Sequence, residues 1–500
     1  MKILLHNRLV HMILIGICFF PVLPILAEPV LPFANGQDVA LTGAACMHGD
    51  PLSSDTASLP GPGVGDLSTR FHVFWAACPT ILVRSDGNPF VLSTTMLGKD
   101  PVARLLDQKS GKELARLKLN KGSLLGGVYA YLDSEDQLVM VDGDQQLIRI
   151  KAQTINSANE WALSIDSGIS LLSAVSDPCG GNGCDAVVSI SPGASGAVWF
   201  ATQKGVAGLY QPVPLEAGHL YSLRLGEDER IDNSFSTTPE GQAIIVTNKA
   251  LYMLRQEEEG PPRIIWRQDY NQGTARKPGQ LSHGSGATPT IFGPDTGAEY
   301  AMITDNADDG ISLIVRDAEE GRLLCEKKIF TAGINSGTEN SAIGIGNSVI
   351  VASTYGYPYP AVPEGAGDSV PKRAGFAGGM VRVDLIPCEG SDTPLCTDCE
   401  IVWENQVRSA AVPKLSTADG LIYTVERKSP SGKDNATLFD SYFFTVIDFE
   451  TGNVLKEKVA GFGFLSDTLQ MAGNFGPEGL FWQGTMTGVL RIAPKNSVSP

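Results

Sequence analysis

Helical periodicity is nearly absent from this chain. From residue 71 almost to the end, apolar residues come in short runs broken by Asp, Pro and Gly. That pattern excludes helical bundles and alternating α/β folds and leaves the all-β class. Basic charge is also scarce: 38 Lys and Arg stand against 55 Asp and Glu, a formal net charge of −17. No basic stripe exists, so nucleic-acid binding is excluded. After the N-terminus there is no second apolar run of membrane length, so no membrane span is expected once that segment is removed. There is no G-x-S-x-G nucleophile elbow. Past residue 27 the histidines are His48, His72, His219 and His283, and they show no metal-ligand spacing.

What is present begins with a targeting segment. Lys2 and Arg8 precede an apolar core at residues 12–26, and Ile25-Leu26-Ala27 is an acceptable cleavage site. Residues 1–27 therefore read as a signal peptide, and the protein as periplasmic or secreted. Ile17 ahead of Cys18 does not suit lipoprotein processing. With Lys2 and Arg8 gone, 36 basic residues face 55 acidic ones, a balance that favours solubility and leaves carboxylates for a hard cation such as calcium. Eight cysteines remain: Cys46, Cys78, Cys179, Cys184, Cys325, Cys388, Cys396 and Cys399. An even number in an exported chain favours disulfides. Cys179 and Cys184 would close a small loop, Cys388 would pair with Cys396 or Cys399, and Cys46 would tie down the leader. A lone Cys396-Thr-Asp-Cys399 without a second pair argues against zinc, and Glu400 in place of His argues against haem attachment.

Residues 28–68 are rich in Gly, Pro, Ser and Asp and read as a loosely structured leader. Residues 283–330 then contain four short apolar runs separated by Pro294-Asp-Thr-Gly297, Asp308-Asp-Gly310 and Glu319-Glu-Gly321. Successive hairpins of this size make one propeller blade. A repeat supports the reading. Asp107-Gln-Lys-Ser-Gly111 recurs as Asp317-Ala-Glu-Glu-Gly321 and as Asp448-Phe-Glu-Thr-Gly452, each between apolar runs. The Asp side chain can bond the turn backbone, and Gly takes the positive φ before the returning strand. Candidate blades centre on residues 80–119, 127–165, 185–225, 233–270, 287–330, 341–405, 411–460 and 465–493. The expectation is a single β-propeller over 69–495 of about eight four-stranded blades, with seven as the alternative and 496–500 as a tail. The last blade is short by a strand, which a segment near 71–78 would supply.

The D-x-x-x-G turn with its following strand resembles the repeat of quinoprotein-like (PQQ-repeat) β-propellers, over most of residues 71–493. Catalytic members of that group need a tryptophan floor for the quinone, calcium and an Asp base, and many carry adjacent cysteines. Here no cysteines are adjacent, and Trp75, Trp161, Trp199, Trp266, Trp403 and Trp482 are scattered.

In a propeller, the loop between second and third strands and the connection between blades share one face, the upper face. Asp232-Asn233-Ser234 and Glu339-Asn340-Ser341 open two blades there, and Asp305-Asn306 ends a second strand on the same side. Oxygen ligands converging on a channel mouth suit calcium. This resembles paraoxonase- and gluconolactonase-like propellers, where such a metal polarises an ester or lactone carbonyl. The competing reading is that these residues satisfy loop backbone. His283 is a candidate general base on the same face. Tyr355-Gly-Tyr357-Pro-Tyr359-Pro360 leads into a Pro/Gly-rich insertion reaching residue 379, long enough for a lid, and offers aromatic surface for a ligand or partner. The 426–440 loop, with Lys428, Lys433 and the Asn435 sequon, reaches that face too. The leading expectation is a binding or scaffold module for a small molecule or protein at the upper face. A calcium-dependent lactone or ester hydrolase is the alternative, and a PQQ dehydrogenase ranks third.

Overall fold

The short apolar runs become strands of eight sheets, six of them four antiparallel strands in sequence order, while one adds Thr56–Ala57 in parallel beside Lys414–Ser416 and one borrows an N-terminal strand. A computed structural model describes residues 44–121, 128–156, 160–175, 184–213, 218–331, 336–363, 365–387, 397–430 and 436–495. The innermost strands of blades 1 to 8 are Ala76–Val83, Tyr131–Leu132, Val187–Pro192, Ser236–Thr237, Thr290–Phe292, Ile343–Ile345, Lys414–Ser416 and Asn474–Gly476. Blade 8 takes its outer strand, Leu67–Val73, from the N-terminal side, where it pairs antiparallel with Gly488–Pro494. The eight-bladed expectation holds, and the closing strand lies a few residues ahead of 71–78.

Sequence patterns follow position in the blade. Second and third strands are buried on both sides, as in Gln242–Val246 and Ala250–Arg255, so they read as continuous apolar runs. Outer strands alternate, as in Arg263–Asp269, because one side meets water. Eight apolar clusters fill the ring, one at each junction between neighbouring blades. The junction of blades 8 and 1 sets Trp482 and Val489 against Ile81 and Val91, so the ring is closed by packing as well as by the shared sheet.

The repeated turns have the expected geometry. Gly111, Gly321 and Gly452 have φ of +71°, +71° and +69°. Each donates its N–H to the turn Asp carbonyl, at 2.7, 2.9 and 2.9 Å. The missing Cβ serves packing too. The outer strand of the preceding blade lays Trp266 over Gly321 and Trp403 over Gly452, and each indole N–H donates to a turn carbonyl at 3.0 Å. At Gly111 that place is held by His72. A Cβ at position 452 would sit 2.5 Å from the Trp403 ring. Gly452→Ala should therefore cost about 1–3 kcal/mol through strain and overpacking, read as a lowered midpoint in urea unfolding.

Two sequence expectations are corrected here. The described disulfide with both partners on view joins Cys325 to Cys399, across the outer strands of blades 5 and 6, so Cys399 is not the partner of Cys388. Sequence proximity misled because register decides: Cys399 lies opposite Leu385 and packs, with Cys325, in the cluster between the two blades. Cys46 and Cys78 are free and buried; burial pushes both thiols up, Cys78 to about 12. Cys184 is disulfide-bonded, while Cys179, Cys388 and Cys396 lie outside the described residues, as do Lys433, Asn435 and residues 1–43.

Candidate binding face and channel

The leader is the larger correction. Residues 44–57 make a circuit inside the channel. Their carbonyls accept the N–H groups of Val83 (3.0 Å), Leu132 (2.8 Å), Thr237 (2.8 Å), Ile291 (2.9 Å), Gly344 (3.0 Å), Leu415 (2.9 Å) and Thr417 (2.9 Å). These amides belong to or adjoin the inner strands of blades 1, 2, 4, 5, 6 and 7. Blade 8 joins through Asn474, whose Nδ2 reaches the Ile81 carbonyl at 2.8 Å and the Cys46 carbonyl at 3.1 Å. Inner strands present backbone donors to the pore, and buried donors must be paired. The leader supplies the acceptors with a sequence of mostly small residues that fits the axis but carries no periodicity.

Side chains lock this circuit. Lys414, from blade 7, is fully buried. Its Nζ donates to the Met47 carbonyl at 2.8 Å and lies 3.3 Å from Asp55. Burial lowers the Lys414 pKa, and the Asp55 carboxylate opposes that shift. Asp55 also meets His48, with Nδ1 at 3.1 Å from Oδ1, and accepts from Ser341. Ser341, His48 and Asp55 have the composition of a nucleophilic triad but not its geometry. Serine and carboxylate both approach Nδ1, at 2.8 and 3.1 Å, so the ring does not stand between them to relay a proton. A cavity of about 30 Å³ remains beside the leader, lined by His48, Asp50, Tyr129, Tyr131, Ser191 and Ser234 among others, room for about one water.

Above this plug, the mouth of the channel gathers some of the expected residues and separates others. Asn233 and Glu339, from the entries to blades 4 and 6, do meet, with Nδ2 to Oε1 at 3.4 Å. Asn233 also donates to the Gly286 carbonyl, and its Oδ1 lies 3.4 Å from the Tyr129 hydroxyl. Asn340 turns away and donates to Gln470 at 2.9 Å. Asp232 pairs with Arg230 at 2.7 Å. Asp305 accepts the Ser312 N–H at 2.6 Å, and burial pushes its carboxyl up to about 6. Asn306 donates to the Gln272 and Ala275 carbonyls at 2.9 and 3.0 Å. His283 Nε2 lies 3.2 Å from the Gly273 carbonyl. Most of these groups satisfy loop backbone or a neighbouring charge, and no group of three or more His, Cys, Asp or Glu placed to hold a metal ion is found among the described residues.

Glu339 is the exception within the set. Its Oε2 is sealed from solvent without a hydrogen-bond partner, and burial pushes the carboxyl up to about 8. A raised folded-state pKa makes the folded form the better proton binder. The stability it contributes is full below its ordinary value near 4.5 and is lost as pH rises through about 8. Melting temperature should fall between pH 5 and 8.5, and Glu339→Gln should flatten that fall, gaining about 1–2 kcal/mol at the alkaline end. Equal slopes for the two proteins would contradict the assignment.

The tyrosines are not the exposed contact surface expected. Tyr355 and Tyr357 are buried and Tyr359 is half-buried. Tyr357 packs edge-on against Phe376 at 5.2 Å, donates its hydroxyl to Asp467, and lies beneath the Arg427 guanidinium. Prolines between aromatics read as a presented surface, but the partners lie 19 and 110 residues away. The insertion that follows is a strap. Arg276 Nε donates to the Gly367 carbonyl at 3.1 Å, Val370 N–H to the Arg276 carbonyl at 2.9 Å, and Arg230 to the Gly365 carbonyl at 3.2 Å. It thereby ties blade 6 to the entries of blades 4 and 5.

Plug and strap leave the quinone reading without a seat. Trp199 and Trp482 lie wholly inside blade packing, Trp266 and Trp403 cover turns, and Trp161 is packed near Arg84. Trp75 is exposed on the rim. No tryptophan floors the axis, so these residues do not fit PQQ.

The surface feature that sequence reasoning missed is an apolar crest on the upper rim of blades 7, 8 and 1. Leu97 is 90 % exposed, Leu438 and Phe439 67 %, Phe462 63 % and Trp75 62 %. Hydrogen bonds link the loops that carry these residues. Met96 N–H donates to the Trp75 carbonyl (2.9 Å), Trp75 and Phe74 N–H both to Thr487 (3.0 and 2.9 Å), and Gly463 N–H to Asp440 (2.8 Å). The Thr487 hydroxyl donates to Leu465 at 2.9 Å. Trp75 is held at a φ of +54°, a conformation that bulky residues adopt rarely. In sequence, these residues look like ordinary strand ends.

No family model and no curated relative matches the chain. Solved structures do resemble it. A quinohemoprotein alcohol dehydrogenase from Pseudomonas putida is 11% identical with a TM-score of 0.49, covering 90% of this chain and 80% of that one. BamB from Moraxella catarrhalis is also 11% identical, with a TM-score of 0.41 over 85% of this chain and 99% of that one. A protein of unknown function from Desulfotomaculum acetoxidans is 10% identical, with a TM-score of 0.38 over 79% and 96%. At these identities the likeness concerns fold alone. Among the described residues no helix is long and apolar enough to cross a membrane.

Proposed function

We propose that the protein is an exported β-propeller that works as a binding or scaffold module through its upper face. The observation that carries this reading is the apolar crest. Exposed large apolar side chains gathered on linked loops of three blades are the mark of a surface that meets a partner. The filled channel supports it, because the axis where propeller chemistry sits is occupied by the protein's own leader. Export rests on the N-terminal targeting pattern and accords with the Cys325–Cys399 bond.

The test is site-specific photo-crosslinking in the producing cell. A photoreactive side chain at position 97 or 439 should give discrete high-mass or lipid adducts, and one at Leu323, on the opposite face, should not. Equal labelling at the two faces, or none at the crest, would dispose of the binding-face reading.

A further inference from the structure

The crest carries a more specific conclusion, which rests on the binding-face reading: we propose that it docks the protein peripherally on an anionic phospholipid surface. Three observations combine. First, most of the apolar residues stand on turns. Trp75 lies at a blade junction, Leu97 in the turn of residues 96–99, Leu438 and Phe439 in another, and Phe464 opens a short 3-10 segment. Turn tips offer no extended row of free backbone groups for adding a peptide strand, but several together can enter the headgroup layer of a bilayer. Second, the largest member is an exposed tryptophan, whose apolar ring and N–H suit the membrane–water interface. Its backbone N–H and that of Phe74 both donate to the Thr487 carbonyl.

Third, local charge runs against the chain as a whole. The protein has a net charge of −17, yet behind Leu97 stand Lys99, Lys118 and Lys121, with Asp100 as the shared carboxylate of the latter two. Lys118 and Lys121 are 69 % and 57 % exposed at their side chains. Beside Phe462, Lys428 faces two carboxylates, Glu426 and Glu457, so the basic excess lies at the Leu97 turn. Basic residues beside a protruding apolar tip complement anionic headgroups, and long lysine stems can lie along the interface while their ammonium groups stay wet.

The experiment uses the full mature chain and sedimentation with vesicles. Vesicles containing phosphatidylglycerol in phosphatidylcholine should bind it at least about tenfold more tightly than phosphatidylcholine alone, with the difference shrinking at high salt. The double variant Leu97→Ser/Phe439→Ser should lose about tenfold or more of that binding while keeping the wild-type melting curve. Brominated acyl chains should quench the intrinsic fluorescence, and Trp75→Phe should abolish the quenching, since the other tryptophans are packed in or between blades. Failure to bind anionic vesicles, binding unchanged in the double variant, or quenching that survives Trp75→Phe would each overturn the proposal. Crosslinks from position 97 to a protein, with no vesicle binding, would overturn it too while leaving the binding-face reading in place.

Discussion

Deleting residues 44–57 should abolish cooperative folding, although the segment contributes a single two-residue strand, Thr56–Ala57. Seven inner-strand amides lose their acceptors together. At about 1 kcal/mol each for a made bond, and more for a donor left buried without one, the loss is comparable with the whole stability of a domain. The deletion also removes Asp55 from Lys414. The intact chain offers an independent check. By hydrogen exchange, the amides of Val83, Leu132, Thr237, Ile291, Gly344 and Leu415 should rank among the slowest, as core ladder positions do. Exchange at loop rates there, or a sharp melt in the deleted chain, would show the leader to be a dispensable lining.

The second large effect concerns the ion pair on the axis. Lys414→Met leaves Asp55 without its buried cation, and Asp55→Ala leaves Lys414 without its carboxylate. Each should cost about 3–5 kcal/mol, because an uncompensated charge then remains out of water. The double variant Lys414→Met/Asp55→Ala should be less damaging than the sum of the two, with a coupling of about 1–3 kcal/mol in urea unfolding. Additive losses would mean that the two groups act separately, Lys414 through the Met47 carbonyl and Asp55 through His48 and Ser341.

Much of the architecture could be read from the chain because its signals are local. Asp and Gly at fixed spacing make the turns at 107–111, 317–321 and 448–452, and apolar runs between them make the buried strands. Strand direction then placed Asn233 and Glu339 at one rim, and they do touch. What could not be read depends on contacts distant in sequence. Asp305 and Asn306 look like ligands until the backbone groups of residues 272–312 that occupy them are known. Cys399 faces Cys325 because of strand register, not spacing. The leader has no period because its backbone, rather than its side chains, does most of the joining. Trp75 and Leu97 escaped notice because a strand-end apolar residue is ordinary in sequence, and only their common exposure sets them apart.

The route of the chain through the pore has a practical consequence. Ala44 meets Val83 at the end of an inner strand farthest from the crest, and Lys495 bonds Asp66 beside the start of Leu67–Val73, on that same side. Ala44 and Lys495 therefore both stand on the side of the ring away from the crest. A protein immobilised through the Lys495 side chain, which is exposed, would hold Trp75 and Leu97 outward, oriented toward whatever flows over the support.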